Sequence, residues 1–326
     1  MKHLLNTISA AILTITLSSC HKTPSSPTAP YSDADPVEIQ RLDLAITDLP
    51  HFSPALLDSM KPGLDIYLPL LGFPTDSTMT ALQTIYDSPL TASFGIEVRD
   101  RFPVTDSIEP TLGHVRAALQ ADHPDIHLSR IYGIISPYNQ SVVVADSTVL
   151  LALNHYMGSN YEAYSAMPEA VRRLKTPDRI PIDIAEALLR VNYPFIPSGD
   201  DNVLQRMLYE GAIASALASI FPVRDSDFIL GVPSGHFENI SRRMPELWSL
   251  ASSTGLLYSS DDKTKTQLFS RMTGQSYPAY FGPAAGWMIL KSYMTNNPAT
   301  SLNTILSPDF YQHAQGRLIE AKFLPK

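Results

Sequence analysis

Apolar and polar positions along the 326-residue chain fall into blocks of different period. The first block, Leu4 to Leu17, is an apolar run tolerant of Ser and Thr; it falls short of the roughly 20 residues that span a bilayer. From His21 to Pro36 periodicity is lost, and Pro24, Pro27, Pro30 and Pro36 stand among Ser, Thr and Ala. Val37 to Leu49 is patterned as a helix. Leu56, Leu57, Met60, Leu64, Leu68 and Leu71 recur at spacings of three and four and predict a second, and Ile108, Leu112, Val115 and Leu119 predict another. The period then changes. Arg130–Ser136 and Ser141–Ala145 are β-branched runs around Pro137-Tyr138-Asn139-Gln140, which predicts a hairpin with a four-residue loop; Thr148 to Leu153 adds a strand.

Beyond Asp178 the helical period dominates. Ile180, Ile184, Leu188 and Val191 share one face of a helix ending before Pro194. A second covers Asn202 to Phe221 and stops at Pro222; its Gly211, Ala212, Ala214, Ala216 and Ala218 allow close approach of a neighbour. Further helices fit Ser234–Thr254, Asp262–Met272, Pro283–Met294 and Pro308–Lys322. The predicted class is α+β, mostly helical with a small central antiparallel sheet.

The N-terminal block gains meaning from what flanks it. Lys2 and His3 precede it, and Leu17-Ser18-Ser19-Cys20 ends it with the one cysteine of the chain. This pattern resembles the bacterial lipoprotein signal. The resemblance implies removal of residues 1–19 and acylation of the Cys20 thiol and its new amine. Residues 20–36 then form a lipidated, Pro/Ser-rich tether reaching up to about 50 Å at ~3.1 Å per residue, and residues 37–326 a single globular domain. No acidic cluster follows Cys20, which points to a periplasm-facing body on the outer membrane. The mature chain would have no free thiol, so cysteine catalysis, thiolate metal sites and disulfides are excluded. A hydrophobic content of 44% supplies a sizeable core, and 27 Pro against 15 Gly favours helices with firm stops. A net charge of -8 argues against nucleic acid, which needs a basic face.

Several short motifs occur in order. They are His123-Pro124-Asp125-Ile126 before Ile131–Ser136, Leu150–Gly158, Asn160–Tyr164 with Met167-Pro168, Met207–Gly211, Leu256–Ser259, Gly282–Met294 and Ala321–Pro325. Together with the lipobox they resemble the gliding-motility lipoprotein B (GldB) family of Bacteroidetes, over residues 36 to 326. The resemblance implies a cell-envelope lipoprotein linked to gliding motility and its supporting secretion machinery. That family is in turn similar to HExxH zinc peptidases, whose helix offers two His ligands and a Glu base, with a later Glu as third ligand. Laid on that pattern, Ala185 and Leu189 stand at the His positions, Glu186 at the base and Glu210 at the third ligand. One ligand of three cannot hold zinc, so the resemblance implies a degenerate, zincin-like pseudo-peptidase without metal or other cofactor. Its partners are the membrane, through the lipid, and an envelope protein.

The residues themselves leave more than one site open. Asp183, Glu186, Glu210 and His155 are candidates for a vestigial acidic cleft or for a partly exposed helix face. Neutralising both Glu is expected to leave stability nearly unchanged and to weaken a partner. The alternative from another class is an active hydrolase whose metal is held by His155, Asp183 and Glu210; a third is a structural protein whose one function-bearing residue is Cys20. His114, His123 and His127 read as loop or strand-edge histidines, since Pro124 breaks any shared helix. Asp200-Asp201 and Asp261-Asp262 read as helix caps. Ser234-Gly235-His236 lacks the context of a hydrolase triad. Trp248 and Trp287 read as core or groove. Tyr277–Pro283 reads as an aromatic loop, packed beneath or rimming a cleft.

Overall fold

The computed structural model describes residues 33–325 except 52, 75, 77, 200, 273 and 275. The signal segment 1–19, Cys20 and the tether up to residue 32 lie outside the described residues.

The chain enters through β1 (Ile39–Arg41) and continues into helices α1 (Leu42–Thr47), α2 (Pro54–Leu70), α3 (Thr78–Tyr86), α4 (Pro89–Arg101) and α5 (Glu109–Asp122). Three strands follow: β2 (Arg130–Ile134), β3 (Val142–Ala145) and β4 (Thr148–Ala152). The rest is helical. It comprises α6 (Glu169–Arg172), α7 (Ile180–Asn192), α8 (Val203–Ile220), α9 (Ser226–Leu230), α10 (His236–Ser253), α11 (Asp262–Phe269), α12 (Phe281–Asn296), α13 (Leu302–Leu306), α14 (Pro308–Gln312) and α15 (Ala314–Ala321).

The α+β class stands, but the sheet is mixed rather than antiparallel. Its order is β1-β2-β4-β3, with β1 and β2 parallel, β2 and β4 parallel, and β3 antiparallel to β4. The expected hairpin between 130–136 and 141–145 does not form. Instead β3 turns back onto β4 through Asp146-Ser147, with Asp146 at φ 52°, and β4 slots between β3 and β2. The four residues after Ser136 form a connection, held where the Asn154 amide accepts from Ser136 N and donates to Ser136 O, each at 2.9 Å. The start of the segment read as helix, Val37–Leu49, is also corrected: Ile39–Arg41 pairs with Ile131–Gly133 as an edge strand.

Alternation along the strands splits the core in two. Tyr132, Ile134, Leu150 and Ala152 face α1, α2 and α3. Ile131, Val149 and Leu151 face the larger helical body. That body is centred on α8, which is buried nearly all round from Val203 to Ile220 and is therefore a core helix rather than an amphipathic one. Its partner α12 crosses it where Gly211 meets Gly286: a Cβ on Gly286 would lie 1.8 Å from the Met207 carbonyl oxygen. Aromatic side chains fill the remainder. Trp287 packs on Phe237 at 5.4 Å and Trp248 on Phe323 at 5.1 Å, so both tryptophans are packing residues.

Among the described residues no helix is long and apolar enough to cross a membrane.

Candidate functional site

Helix α7 starts at Ile180 with Pro181 in its first turn, where a missing N–H costs nothing. It packs against β3 and α8. Ile180, Ile184, Leu188 and the neighbouring Ala185 and Leu189 are fully buried. The positions that HExxH would give to histidine therefore lie within the apolar core. The opposite stripe, Asp183, Glu186 and Arg190, is partly covered, with Arg271 and Tyr280 of the segment before α12 close by. Glu210 enters from α8.

Glu186 and Glu210 converge on a cation of the chain itself. Arg190 Nε donates to Glu186 Oε1 at 2.9 Å. Its Nη1 and Nη2 donate to Glu210 Oε1 and Oε2 at 3.2 and 2.6 Å. The side chains are only partly covered, with exposures of 32% for Arg190, 21% for Glu186 and 13% for Glu210. Burial pushes the Glu186 carboxyl up, but Arg190 and Arg271 outweigh it and hold Glu186 below the usual carboxylate range. Burial likewise opposes the charge on Arg190, and the two glutamates more than reverse this. Charge-assisted, bidentate pairing of this kind is the strong form of ion pair. Arg190 escapes a search for metal ligands, yet the i,i+4 pair Glu186–Arg190 is a signal the sequence carries.

Asp183 and His155 do not join the clasp. Asp183 accepts from Arg179 Nη2 at 2.9 Å and from the Tyr156 hydroxyl at 3.0 Å. Burial raises its pKa, with Arg179 opposing. His155 points away, its Nδ1 3.2 Å from Ser141 Oγ, which also accepts from Lys175 Nζ at 3.0 Å. No three His, Cys, Asp or Glu side chains converge as a metal would require among the described residues. His155, Asp183 and Glu210 thus do not form the ligand set of the alternative reading.

His155 titrates abnormally. Burial and the neighbouring Lys175 charge lower its pKa to about 4 from 6.5. Above pH 6.5 the ring is neutral in both folded and unfolded chains and nothing is lost. As pH falls from 6.5 toward 4, the unfolded chain takes up a proton that the folded one refuses, so stability decreases. We expect the loss to reach about 3 kcal/mol by pH 4. His155→Gln should flatten that part of the profile in urea unfolding between pH 4 and 7; an unchanged slope would refute the assignment.

Other candidates resolve into structural roles. His114, read as a loop or edge histidine, lies on α5 with Nε2 2.5 Å from the Ile220 carbonyl. His123, read likewise, is 1% exposed at the end of α5, with Nδ1 2.5 Å from Asn303 Oδ1. Asn303 and Tyr193 come from distant chain segments, which hides this burial from local pattern. His127 is exposed in the loop before β2. Asn202, not the Asp pair, caps α8 by accepting from Gln205 N at 3.0 Å. Asp201 instead pairs with Arg206 and Lys265 at 2.7 and 3.1 Å, and Asp200 lies outside the described residues. Asp261 does cap α11, accepting from Thr264 N at 2.7 Å. His236 donates Nε2–H to the Ala279 carbonyl at 2.7 Å, so Ser234 and His236 form no triad. In the Tyr277–Pro283 segment, Tyr280 adopts φ 58° to open α12 and Phe281 is fully buried, with Tyr277 stacked on it at 4.8 Å. The segment is therefore largely core and helix start.

No curated protein and no solved structure matches the chain. The family model described as gliding motility protein GldB, a lipoprotein family, matches residues 25–322. That is nearly the whole chain, including the clasp on α7 and α8, and the protein belongs to the GldB family of gliding motility proteins.

Proposed function

We propose that this chain is an outer-membrane lipoprotein, anchored through Cys20, whose periplasm-facing body is a non-catalytic binding component of gliding-motility or secretion-related envelope machinery. Its scaffold is read as a zinc peptidase that has lost its metal. The observation that carries this reading is the Arg190 clasp. A guanidinium bonded to Glu186 Oε1 and to both oxygens of Glu210 occupies the carboxylate at the third-ligand position and one oxygen of the one at the base position. A carboxylate held ionised below its usual range is also a weak general base at neutral pH. The fully buried Ala185 and Leu189 at the histidine positions support the same reading.

The test is complementation of a strain lacking this chain. Glu186→Gln keeps the acceptor to Arg190 Nε, and we expect it to restore the envelope phenotype at wild-type protein level, whereas Cys20→Ala does not. The full chain purified from the envelope should carry far less than one equivalent of zinc, iron or manganese. Loss of function on the order of 10²-fold with Glu186→Gln, the scale of a missing general base, or one metal per chain, would refute the proposal.

A further inference from the structure

Beside the clasp lies a cavity of about 260 Å³, lined by Arg173, Arg271, His236, Ala170, Val232 and Met272 among others. Arg271 forms the wall it shares with the clasp. Its Nη2 donates to the Tyr280 hydroxyl at 3.1 Å and to the Leu230 carbonyl at 3.3 Å. These are neutral acceptors: the charges of Glu186 and Asp183 act on Arg271 from nearby, but among the described residues neither carboxylate hydrogen-bonds it. Among the described residues Nε is buried with no acceptor, and Nη1 has none yet is not sealed from solvent. The ring of Tyr280 lies 4.3 Å from the guanidinium carbon and fixes its plane. Gly231, in the left-handed region at φ 65°, packs against the guanidinium: a Cβ there would sit 2.7 Å from Leu174 Cδ2 and 3.5 Å from Arg271 Nε.

Arg271 Nη1 is an open donor on a largely covered guanidinium whose Nη2 is already taken up and whose Nε is sealed; a carboxylate that accepts from Nη1 satisfies a bond whose absence on a desolvated cation is costly. The opposite wall bears Arg173, whose one carboxylate contact is Glu169 at a weak 3.5 Å. Glu169 stands at the rim, 81% exposed, where its charge opposes a doubly negative guest more than a singly negative one. Ala170, Val232 and Met272 offer apolar surface next to the cations, as the side chain of a terminal residue requires and a free inorganic anion does not. We propose that this cavity binds the terminal carboxylate of a peptide or protein chain, with Arg271 as the receptor, Arg173 at the mouth, and room for the last residue. The inference rests on the reading of this chain as a binding component and gives its ligand a chemistry.

The full-length chain in detergent is titrated by calorimetry with the dipeptide acetyl-Ala-Leu bearing a free carboxylate, with the same dipeptide amidated, and with inorganic phosphate. We expect the free acid to bind at least ten-fold tighter than the amide and than phosphate. Arg271→Met should abolish binding. Since Arg271 touches the clasp, a second variant stands apart from it: Ala170→Glu places a carboxylate in the cavity, should weaken the free acid at least ten-fold, and should leave the thermal midpoint unchanged. Equal binding of acid and amide, phosphate binding as well as the acid (an adventitious ion only), no heat with the dipeptide, or wild-type binding by Ala170→Glu would each overturn the proposal. The complementation result with Glu186→Gln does not depend on this titration, so the two readings fail separately.

Discussion

Gly286→Ala is expected to destabilise the protein by about 3 kcal/mol or more, the upper range for overpacking a well-filled core. In an exposed helix the same change would gain up to about 1 kcal/mol from propensity. Here the added methyl lands 1.8 Å from the Met207 carbonyl oxygen and 2.5 Å from its carbon. Those atoms are backbone of α8, so no rotamer relieves the clash, and α8 and α12 have to separate. The reciprocal site is as tight: a Cβ on Gly211 would meet Gly286 backbone at 2.4 Å. Glu210 immediately precedes Gly211, so separation also pulls one arm of the clasp away from Arg190. Gly316 on α15 is the control, since a Cβ there meets nothing within 4 Å. Urea unfolding of both variants checks the expectation: Gly316→Ala at or slightly above wild type, Gly286→Ala far below. A wild-type midpoint for Gly286→Ala would mean that the two helices are not in contact as described.

Those glycines show what the sequence makes legible. The small residues of Asn202–Phe221 announced a close approach, and Gly282–Met294 stood out as a motif, yet their meeting is a long-range fact that spacing cannot supply. Helices with a strong 3.6-residue period, such as α7, were readable to within a residue or two. Strand pairing was not. A β-branched run states that a strand exists, not which neighbour it takes, and the short connection between β2 and β3 suggested a hairpin that β4 in fact displaces. β1 escaped notice because three residues paired parallel to a strand 92 positions away leave no local trace. Helix α4 carries a weak apolar stripe and has no assignment from periodicity, although Ser88-Pro89 is a start signal: Ser88 caps α4 by accepting from Thr91 N at 3.2 Å. At the site, Glu186 and Glu210 both bond Arg190. Their cation was missed because Arg190 lies outside the ligand positions of the HExxH pattern.

That cation governs the second large effect. Arg190→Met removes three charge-assisted hydrogen bonds and leaves two glutamates facing each other in a partly covered recess. Breaking a fully buried ion pair on one side costs about 3–5 kcal/mol. Exposures of 21% and 13% for the two carboxylates let some solvent in, so we expect about 2–4 kcal/mol at pH 7. The deficit should shrink on acidification, because two carboxylates forced together without their cation protonate more readily. Arg190→Lys keeps the charge without the planar fork and should recover part of the loss. The double variant Glu186→Gln with Glu210→Gln is the complementary case. On a plain exposed helix face it would be nearly silent; here it strips the clasp of both carboxylates, leaves the Arg190 charge uncompensated, and should cost about 1–3 kcal/mol. Added zinc should not rescue Arg190→Met, since two carboxylates do not make a zinc site without further ligands. Urea unfolding at pH 7 and pH 5, with and without zinc, tests the set. Arg190→Met as stable as wild type would show that the clasp contributes nothing to the fold, and a zinc-dependent rise in its midpoint would show that the recess has kept the ligands of a metal site after all.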